Sequence, residues 1–595
     1  MYRKFLSLSL AWLGCLSLLA VCLPNHYSPW LSFHQEWLAV VALLPLSGWA
    51  IWQWSYVDQR SPLPPLALAG VLLALYAVAQ YGLSVVGFRG DALLAAGYSL
   101  SFAMAVLTGY QMQRVNTTLF DGKSLRVFWL AWVAAGVVSL GMALHQWLDL
   151  SYFGLLIAEM PRRGRPFANL AQPNHLATLL LLSVAGVLYL HETRVLSKVS
   201  TWLTLTVFCF GLAMTGSRSV LLGMMFALLA YALIRRKSVT RFPAWGMLTL
   251  FLIYLLWAAL WPLLNKVLLL DNVFQATLSR TAPGIRVIYW MSAWDAFMMK
   301  PWLGWGFGQI GLAQQATALN YPATYTFFSS AHNIVLDLLL WTGAPMCLLL
   351  IWAGAKHVSR CRSAATSGDA RWTAWMGLAF IGGHAMVEFP LSYLYFLIPF
   401  GLLWGVLYQP KVAATPIEAG TLTSIAKSRS AVAVGLIGLS LLAKGTLEYL
   451  SWEEDAQNLS FELQNYDKTA EPYTPSWTLF DQVRAMHHVA RAAPARHMPD
   501  QELALFKKNA GRYPSSVALL RYAYAAGLNG QAQEARHTLT LLCSLHVPAI
   551  CQAARLEWKN AGDQSWPELK AIDFPAPQEY KANEQLILFN HPINH

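Results

Sequence analysis

The chain has 595 residues, of which 56% are hydrophobic and only 12% charged, and its mean hydropathy is +0.41; that balance excludes an ordinary soluble enzyme and makes a bilayer the solvent for most of the chain. The formal net charge of +12 is spread through short gaps between apolar runs, which excludes a dense nucleic-acid-binding patch. The 7 cysteines are scattered with no C-x-x-C pair, so no metal site is expected.

The first apolar run, residues 5 to 24, follows Arg3 and Lys4. Its length is close to the roughly 20 residues that cross the hydrocarbon, and no small-residue cleavage site follows it, so a retained span is expected rather than a signal peptide. Similar runs centre near residues 14, 46, 73, 101, 136, 183, 207, 227, 253, 343, 381, 400 and 440. They predict an all-α fold, a polytopic membrane helical bundle of about thirteen spans. Every second gap is basic: Arg60; Arg114, Lys123 and Arg126; Arg194 and Lys198; Arg235, Arg236, Lys237 and Arg241; Lys356, Arg360, Arg362 and Arg371; Lys411, Lys427 and Arg429. Excess Lys and Arg marks cytoplasmic loops, which puts the N-terminus inside.

The outer gaps nevertheless hold cations: Arg162, Arg163 and Arg165 after the fifth span, Arg218 between the seventh and eighth, and Arg280, Arg286 and Lys300 in a loop from about 265 to 331. Cations placed against the topological trend point to an anionic ligand at the outer face, the alternative being arginines that snorkel to lipid phosphates. Asn169, Gln172, Asn174 and His175 crowd the start of the sixth span, where Pro173 suits a first helical turn. A capping role for Asn174 would explain only part of that cluster. His332 and Asn333 open the tenth span, and Asp337, one turn inside, is a candidate partner for an outer arginine. His384 and Glu388 share a helical face near the outer end of the eleventh span, either serving the site or locking two helices. Trp290, Trp302, Trp305 and Tyr325 are candidates for stacking on sugar or lipid, or for interfacial anchoring.

From about residue 450 the composition becomes that of a soluble helical domain, and RYPSSVALLRYAYAAGLNGQAQEARHTLTLLC reads as one tetratricopeptide-like helical hairpin. Cys543 and Cys551 would pair in an oxidising compartment; otherwise they are two small buried residues of a helical pair. The expected layout is a membrane-embedded domain over 1–410 with outer loops 148–174 and 265–331, a cytoplasmic linker 411–430, a last span 431–449, and an outer helical domain 450–595.

The string GRPFANLAQPNHLATLL resembles the signature of PglL-type bacterial protein O-oligosaccharyltransferases, within the wider Wzy/WaaL O-antigen ligase superfamily. In the same order follow TGSRS at 215 to 219, Arg286 and Trp290 leading to KPWLGWGFGQ, AHNIVLDLLLWTGAP from Ala331, and HAMVEFPLSYLYFLIP from His384. The resemblance implies a multi-pass protein of the Gram-negative inner membrane whose active face and C-terminal domain are periplasmic. It implies transfer of a glycan from undecaprenyl diphosphate to an acceptor, either a pilin-like protein or lipid A core, with no cofactor. Arg218 and Arg286 match the positions expected to hold the diphosphate, and His332 matches the histidine expected to deprotonate the acceptor; these three form the expected catalytic set. Arg163, Arg165, Asn169, Gln172, Asn174, His175, Asn333, Glu388 and Trp290 are the expected substrate-binding residues. The chemistry agrees: guanidinium groups stabilise a diphosphate leaving group as charge develops, and imidazole titrates where a general base must.

Two other classes stay open on sequence alone. One is O-antigen ligation to lipid A core, or chain polymerisation, by similar outer-face arginines. The other is a transporter, which calls for ionisable residues near the midplane and paired broken-helix repeats; no internal repeat is found, and the charges gather at one face.

Overall fold

The computed structural model describes residues 2–57, 62–115, 123–150, 154–161, 164–235, 240–268, 285–361, 370–409, 422–464, 466 and 471–576. Arg60, Arg162, Arg163, Arg236, Lys237, Arg280, Arg362 and Lys411 lie outside the described residues, as does much of the expected linker. All regular structure among the described residues is helical. In chain order the helices are α1 (Tyr2–Cys22), α2 (Phe33–Trp52), α3 (Pro65–Gly82), α4 (Arg89–Val115), α5 (Lys123–Trp147), α6 (Pro173–Glu192), α7 (Lys198–Thr215), α8 (Ser219–Arg235), α9 (Gly246–Val267), α10 (Ile285–Met299), α11 (Ile310–Thr317), α12 (Ile334–Cys361), α13 (Trp372–Ala385), α14 (Leu394–Leu407), α15 (Leu422–Leu463), α16 (Asp481–Arg491), α17 (Asp500–Arg512), α18 (Ser516–Leu528), α19 (Ala532–Leu545) and α20 (Pro548–Gln564).

Each expected span centre falls inside one of these helices. Among the described residues nine helices are long and apolar enough to cross a bilayer, and Ser219–Arg235 and Leu394–Leu407 are shorter apolar ones. The chain is a membrane protein. Its residues divide into two compact units, one of Met1–Leu72, Tyr98–Ala282 and Leu350–Ala443, the other of Leu73–Gly97, Pro283–Leu349 and Lys444–His595.

In the first unit α6 is the central element, with every residue from His175 to His191 buried. A helix apolar on all sides belongs where neighbours surround it, and α5, α7 and α13 pack on it. Close helix crossings depend on small residues, because lipid supplies no hydrophobic drive. On α14 a Cβ at Gly405 would sit 2.1 Å from the Val106 carbonyl oxygen, so α14 and α4 meet backbone to backbone there.

The second unit contains α10, α11, α12 as far as Leu349 and the C-terminal helices. Its features are mostly polar joints. The Asp481 carboxylate accepts from the Arg89 and Gly90 N–H groups at 3.1 and 2.7 Å, capping the start of α4, and Arg512 pairs with buried Asp91 at 2.8 and 3.0 Å. The expected hairpin is α18 and α19, turned at Gly530 with φ 80°. The Ser515 hydroxyl caps α18 at the Ala518 N–H, and α17 and α20 flank the pair. Cys543 and Cys551 are bonded, with Cα atoms 4.8 Å apart. The bond closes a short loop, so breaking it is expected to destabilise the C-terminal helices by about 2–3 kcal/mol. A lower thermal midpoint in reductant, absent in the Cys543→Ser/Cys551→Ser double variant, is the check.

Asp455 on α15 lies beyond the expected last span and is bound by His487 Nδ1 at 2.6 Å, by Arg491 at 3.0 Å and by the Tyr473 N–H at 2.9 Å. Burial opposes its charge, yet the Arg491 and Tyr473 hydrogen bonds, that of His487 and the Arg491 charge outweigh burial and hold its carboxyl below the ordinary value. Burial likewise holds the His487 imidazole below its ordinary value, despite Asp455. In both cases the unfolded chain takes up protons first. Stability of this region is therefore expected to fall on acidification, from His487 below about pH 6.5 and further from Asp455 below about pH 4. Thermal midpoints of the full-length protein across that range test the sign; a rise on acidification would contradict it.

Candidate active site

The expected site residues fall in both units: Arg165, Asn169, Gln172, Asn174, His175, Arg218 and Glu388 in the first, and Arg286, Trp290, His332 and Asn333 in the second. Arg163 lies outside the described residues.

In the first unit, residues 164–172 form a folded-back segment before α6, with Ala168 and Ala171 left-handed at φ 55° and 58°. Two buried amides impose that conformation. The Gln146 side-chain oxygen accepts from the Phe167 and Ala168 N–H groups at 3.0 and 2.8 Å. Asn169 is wholly buried: it donates to the Cys22 and Leu156 carbonyls at 2.6 and 2.7 Å and accepts the Ala158 N–H at 2.9 Å. Its own carbonyl accepts from Gln35 at 2.6 Å. Both ends of its side-chain amide are thus spent on backbone, and it organises the segment. Asn169→Ala would leave two carbonyls and an N–H unpaired, at about 1–3 kcal/mol each. We expect a lower thermal midpoint and less folded protein in detergent, with near-normal turnover per folded molecule.

Gln172 precedes α6, and its carbonyl, not its side chain, receives the His175 N–H at 3.0 Å. Asn174 is half-buried, its carbonyl taken by the Thr178 hydroxyl at 3.1 Å. His175 is 4% exposed. Its ring lies among Tyr393, Phe396, Tyr395 and Phe389 at centroid distances of 4.3, 5.9, 6.1 and 6.2 Å, with Nδ1 3.1 Å from the Tyr395 hydroxyl. Thr178 reaches His384 Nδ1 at 2.6 Å, which ties α6 to α13. Glu388 is 5% exposed.

Arg165 donates to the Thr215 and Gly216 carbonyls at 3.3 and 3.2 Å, the cation-friendly C-terminal end of α7. It therefore joins the folded-back segment to the α7–α8 turn, where Gly216 is left-handed at φ 54° and Arg218 is exposed. The sequence reading missed Glu36. Only 2% exposed, its carboxylate accepts from Ser32 at 2.6 Å, Trp30 at 3.1 Å, the Leu394 N–H at 3.0 Å and the Tyr98 hydroxyl. A lone Glu early in an apolar run was the available signal.

In the second unit, His332 is half-buried and left-handed at φ 52°. For a non-glycine residue that conformation costs about 1–3 kcal/mol and persists only where its surroundings impose it. Phe328 packs edge-on to its ring at 5.7 Å. Asn333 is correctly placed at the start of α12, but as a cap: its side-chain oxygen accepts the Val335 and Leu336 N–H groups at 3.0 and 3.2 Å. The Trp290 indole N–H donates to the Ala331 carbonyl at 2.8 Å, so α10 holds the His332 turn. Among the described residues the Asp337 oxygens take the Ser330 hydroxyl at 2.7 Å and the Ala331 N–H at 2.6 Å.

The tenth span, expected as one run, is broken at Gly343, φ 72°. The KPWLGWGFG loop fills the break. Trp305 N–H donates to the Leu340 carbonyl and Ala344 N–H to that of Pro301, both at 2.7 Å. Gln80 and Tyr76 donate to the Trp341 and Thr342 carbonyls at 2.8 and 2.9 Å. Interrupted helices survive in lipid only when the freed backbone groups are satisfied in this way.

Similarity to known proteins falls on these same segments. Residues 166–191 match the protein glycosylation ligase family, residues 202–351 the O-antigen ligase family, and residues 372–560 the C-terminal region of virulence factor membrane-bound polymerases. A general O-oligosaccharyltransferase of Acinetobacter baylyi is 27% identical over 91% of this chain and 91% of its own length. The chain is homologous to that O-oligosaccharyltransferase. A second relative from the same organism, a ComP-specific O-oligosaccharyltransferase, is 26% identical over 65% of this chain and 69% of its own. No solved structure matches significantly. The glycosylation-ligase segment contains Asn169, Gln172, Asn174 and His175, and the O-antigen ligase segment contains Arg218, Arg286, Trp290, His332 and Asn333.

Proposed function

We propose that this glycosyltransferase moves a preassembled oligosaccharide from undecaprenyl diphosphate to a Ser or Thr hydroxyl of a periplasmic protein such as pilin, working in the bacterial inner membrane with its active face and C-terminal domain in the periplasm. The observation that carries this reading is the likeness to a general O-oligosaccharyltransferase along 91% of both chains. The Cys543–Cys551 bond agrees with an oxidising compartment for the C-terminal helices. The domain layout of a membrane-embedded transferase over 1–410, a linker over 411–430, a last span over 431–449 and an outer helical domain over 450–595 belongs to the same proposal.

The reaction places three residues in named roles. The acceptor hydroxyl attacks the anomeric carbon, and its proton passes to the His332 imidazole. The bond between that carbon and the phosphate oxygen breaks, and the electron pair leaves with the diphosphate. Arg218 and Arg286 hold that charge as it grows, since guanidinium forks bind phosphate oxygens in pairs and act most strongly where water is excluded. In the same proposal Arg163, Arg165, Gln172, Asn174, His175, Asn333 and Trp290 serve substrate binding, and Glu388 orients a site residue or the acceptor.

A second reading, transfer to lipid A core or glycan polymerisation, is favoured by the matches over 202–351 and 372–560. The test is expression in a bacterium that lacks its own ligase, makes a lipid-linked glycan and carries a pilin. Glycosylated pilin with unmodified lipid A core supports protein transfer; a modified core or lengthened glycan with unmodified pilin overturns it.

A further inference from the structure

We propose that Asp337 is the positioning residue that sets the geometry of His332, acting through Ser330 and the Ala331 N–H; this rests on His332 being the acceptor base. Asp337 is 1% exposed and lies in the first turn of the apolar helix α12; a carboxylate buried in a membrane-spanning segment is costly and by default marks function.

Its two oxygens are committed to the turn that carries His332. One takes the Ser330 hydroxyl at 2.7 Å and the other the Ala331 N–H at 2.6 Å. The same Ser330 oxygen accepts the His332 N–H at 3.0 Å. One carboxylate thus fixes three consecutive residues, the last of them left-handed at φ 52°. Trp290 completes the hold at the Ala331 carbonyl.

Helix capping does not explain the carboxylate, because Asn333 already caps α12 through Val335 and Leu336. What Asp337 adds is the direction of the residue before the cap. A general base works only within hydrogen-bond reach of the proton it takes. A turn that relaxes by an ångström would cost about a hundredfold in rate without altering how the donor binds.

The experiment uses full-length protein in lipid vesicles, with undecaprenyl diphosphate-linked oligosaccharide as donor and an acceptor pilin. Asp337→Asn, Ser330→Ala, Ser330→Thr and His332→Ala are compared with the parent for kcat and for donor KM, alongside thermal midpoints. Asp337→Asn is expected to lower kcat about a hundredfold and Ser330→Ala about tenfold, with donor KM within about threefold of the parent; Ser330→Thr, which keeps the hydroxyl, restores most of the rate. A merely structural role would lower the folded fraction while leaving kcat per folded molecule intact, and that result overturns the proposal. Parent-like kcat in Ser330→Ala beside an inactive His332→Ala overturns it as well, and decides the matter even if Asp337→Asn does not fold. An active His332→Ala would instead remove the base assignment on which the proposal rests.

Discussion

Replacing His332 is expected to abolish glycan transfer while leaving the protein folded. General base catalysis contributes about 10²–10⁴ in rate, and the two histidines of the other signature segments are poorly placed to supply it. His175 is 4% exposed and ringed by four aromatic side chains, and His384 is wholly buried and bonded to Thr178. The substitution must respect the backbone, since φ is 52° at this position. Asparagine tolerates the left-handed region far better than alanine, so His332→Asn separates lost chemistry from lost conformation. Both variants should lose about a thousandfold in transfer and still bind lipid-linked donor. Acceptor mobility on gels and donor retention by purified protein are the readouts, and full transfer by His332→Asn would take the base role away from this residue.

Gly343→Ala is expected to be the most damaging single methyl addition in α12. The new carbon would lie 2.4 Å from the Trp302 carbonyl oxygen and 2.8 Å from that of Pro301, at φ 72°. Neither oxygen can move freely, because the Pro301 carbonyl is taken by the Ala344 N–H and the loop is pinned by Gln80 and Tyr76. Overpacking against backbone and a left-handed alanine each cost about 1–3 kcal/mol, and together they amount to much of a domain's stability. At Gly354, on the same helix, an added Cβ would meet nothing within 4 Å, and alanine there should be neutral or stabilising by about 0.5–1 kcal/mol. Size-exclusion profiles and thermal midpoints of the two variants give the comparison. Equal behaviour would mean that the break at Gly343 does not carry the strain assigned to it.

Much of the fold was legible because hydropathy is a one-dimensional quantity. Apolar runs report a helix wherever lipid must be crossed, whatever the partners, and all expected centres lie in helices. The hairpin of α18 and α19 was legible for a similar reason: a glycine-containing turn, at Gly530, is a local signal. The site was legible only as a set of segments. GRPFANLAQPNH marked a segment that matches the protein glycosylation ligase family, yet it did not show that both ends of the Asn169 amide are spent on backbone.

The sequence by itself determined the membrane class, the helical architecture, the position of the signature segments and the kinship with O-oligosaccharyltransferases. The tertiary structure alone decided that Asn169 is spent on Cys22, Leu156 and Ala158, that Glu36 is a buried carboxylate answered by Tyr98 and Leu394, that α12 breaks at Gly343, and that Asp337 serves the His332 turn. The physical reason is that a polar side chain's role is set by which donors and acceptors fill its valences, and those partners come from distant parts of the chain: Cys22 and Asn169 are 147 positions apart, Glu36 and Leu394 are 358. Composition records that a polar group must be satisfied once it is buried; only folding chooses by whom.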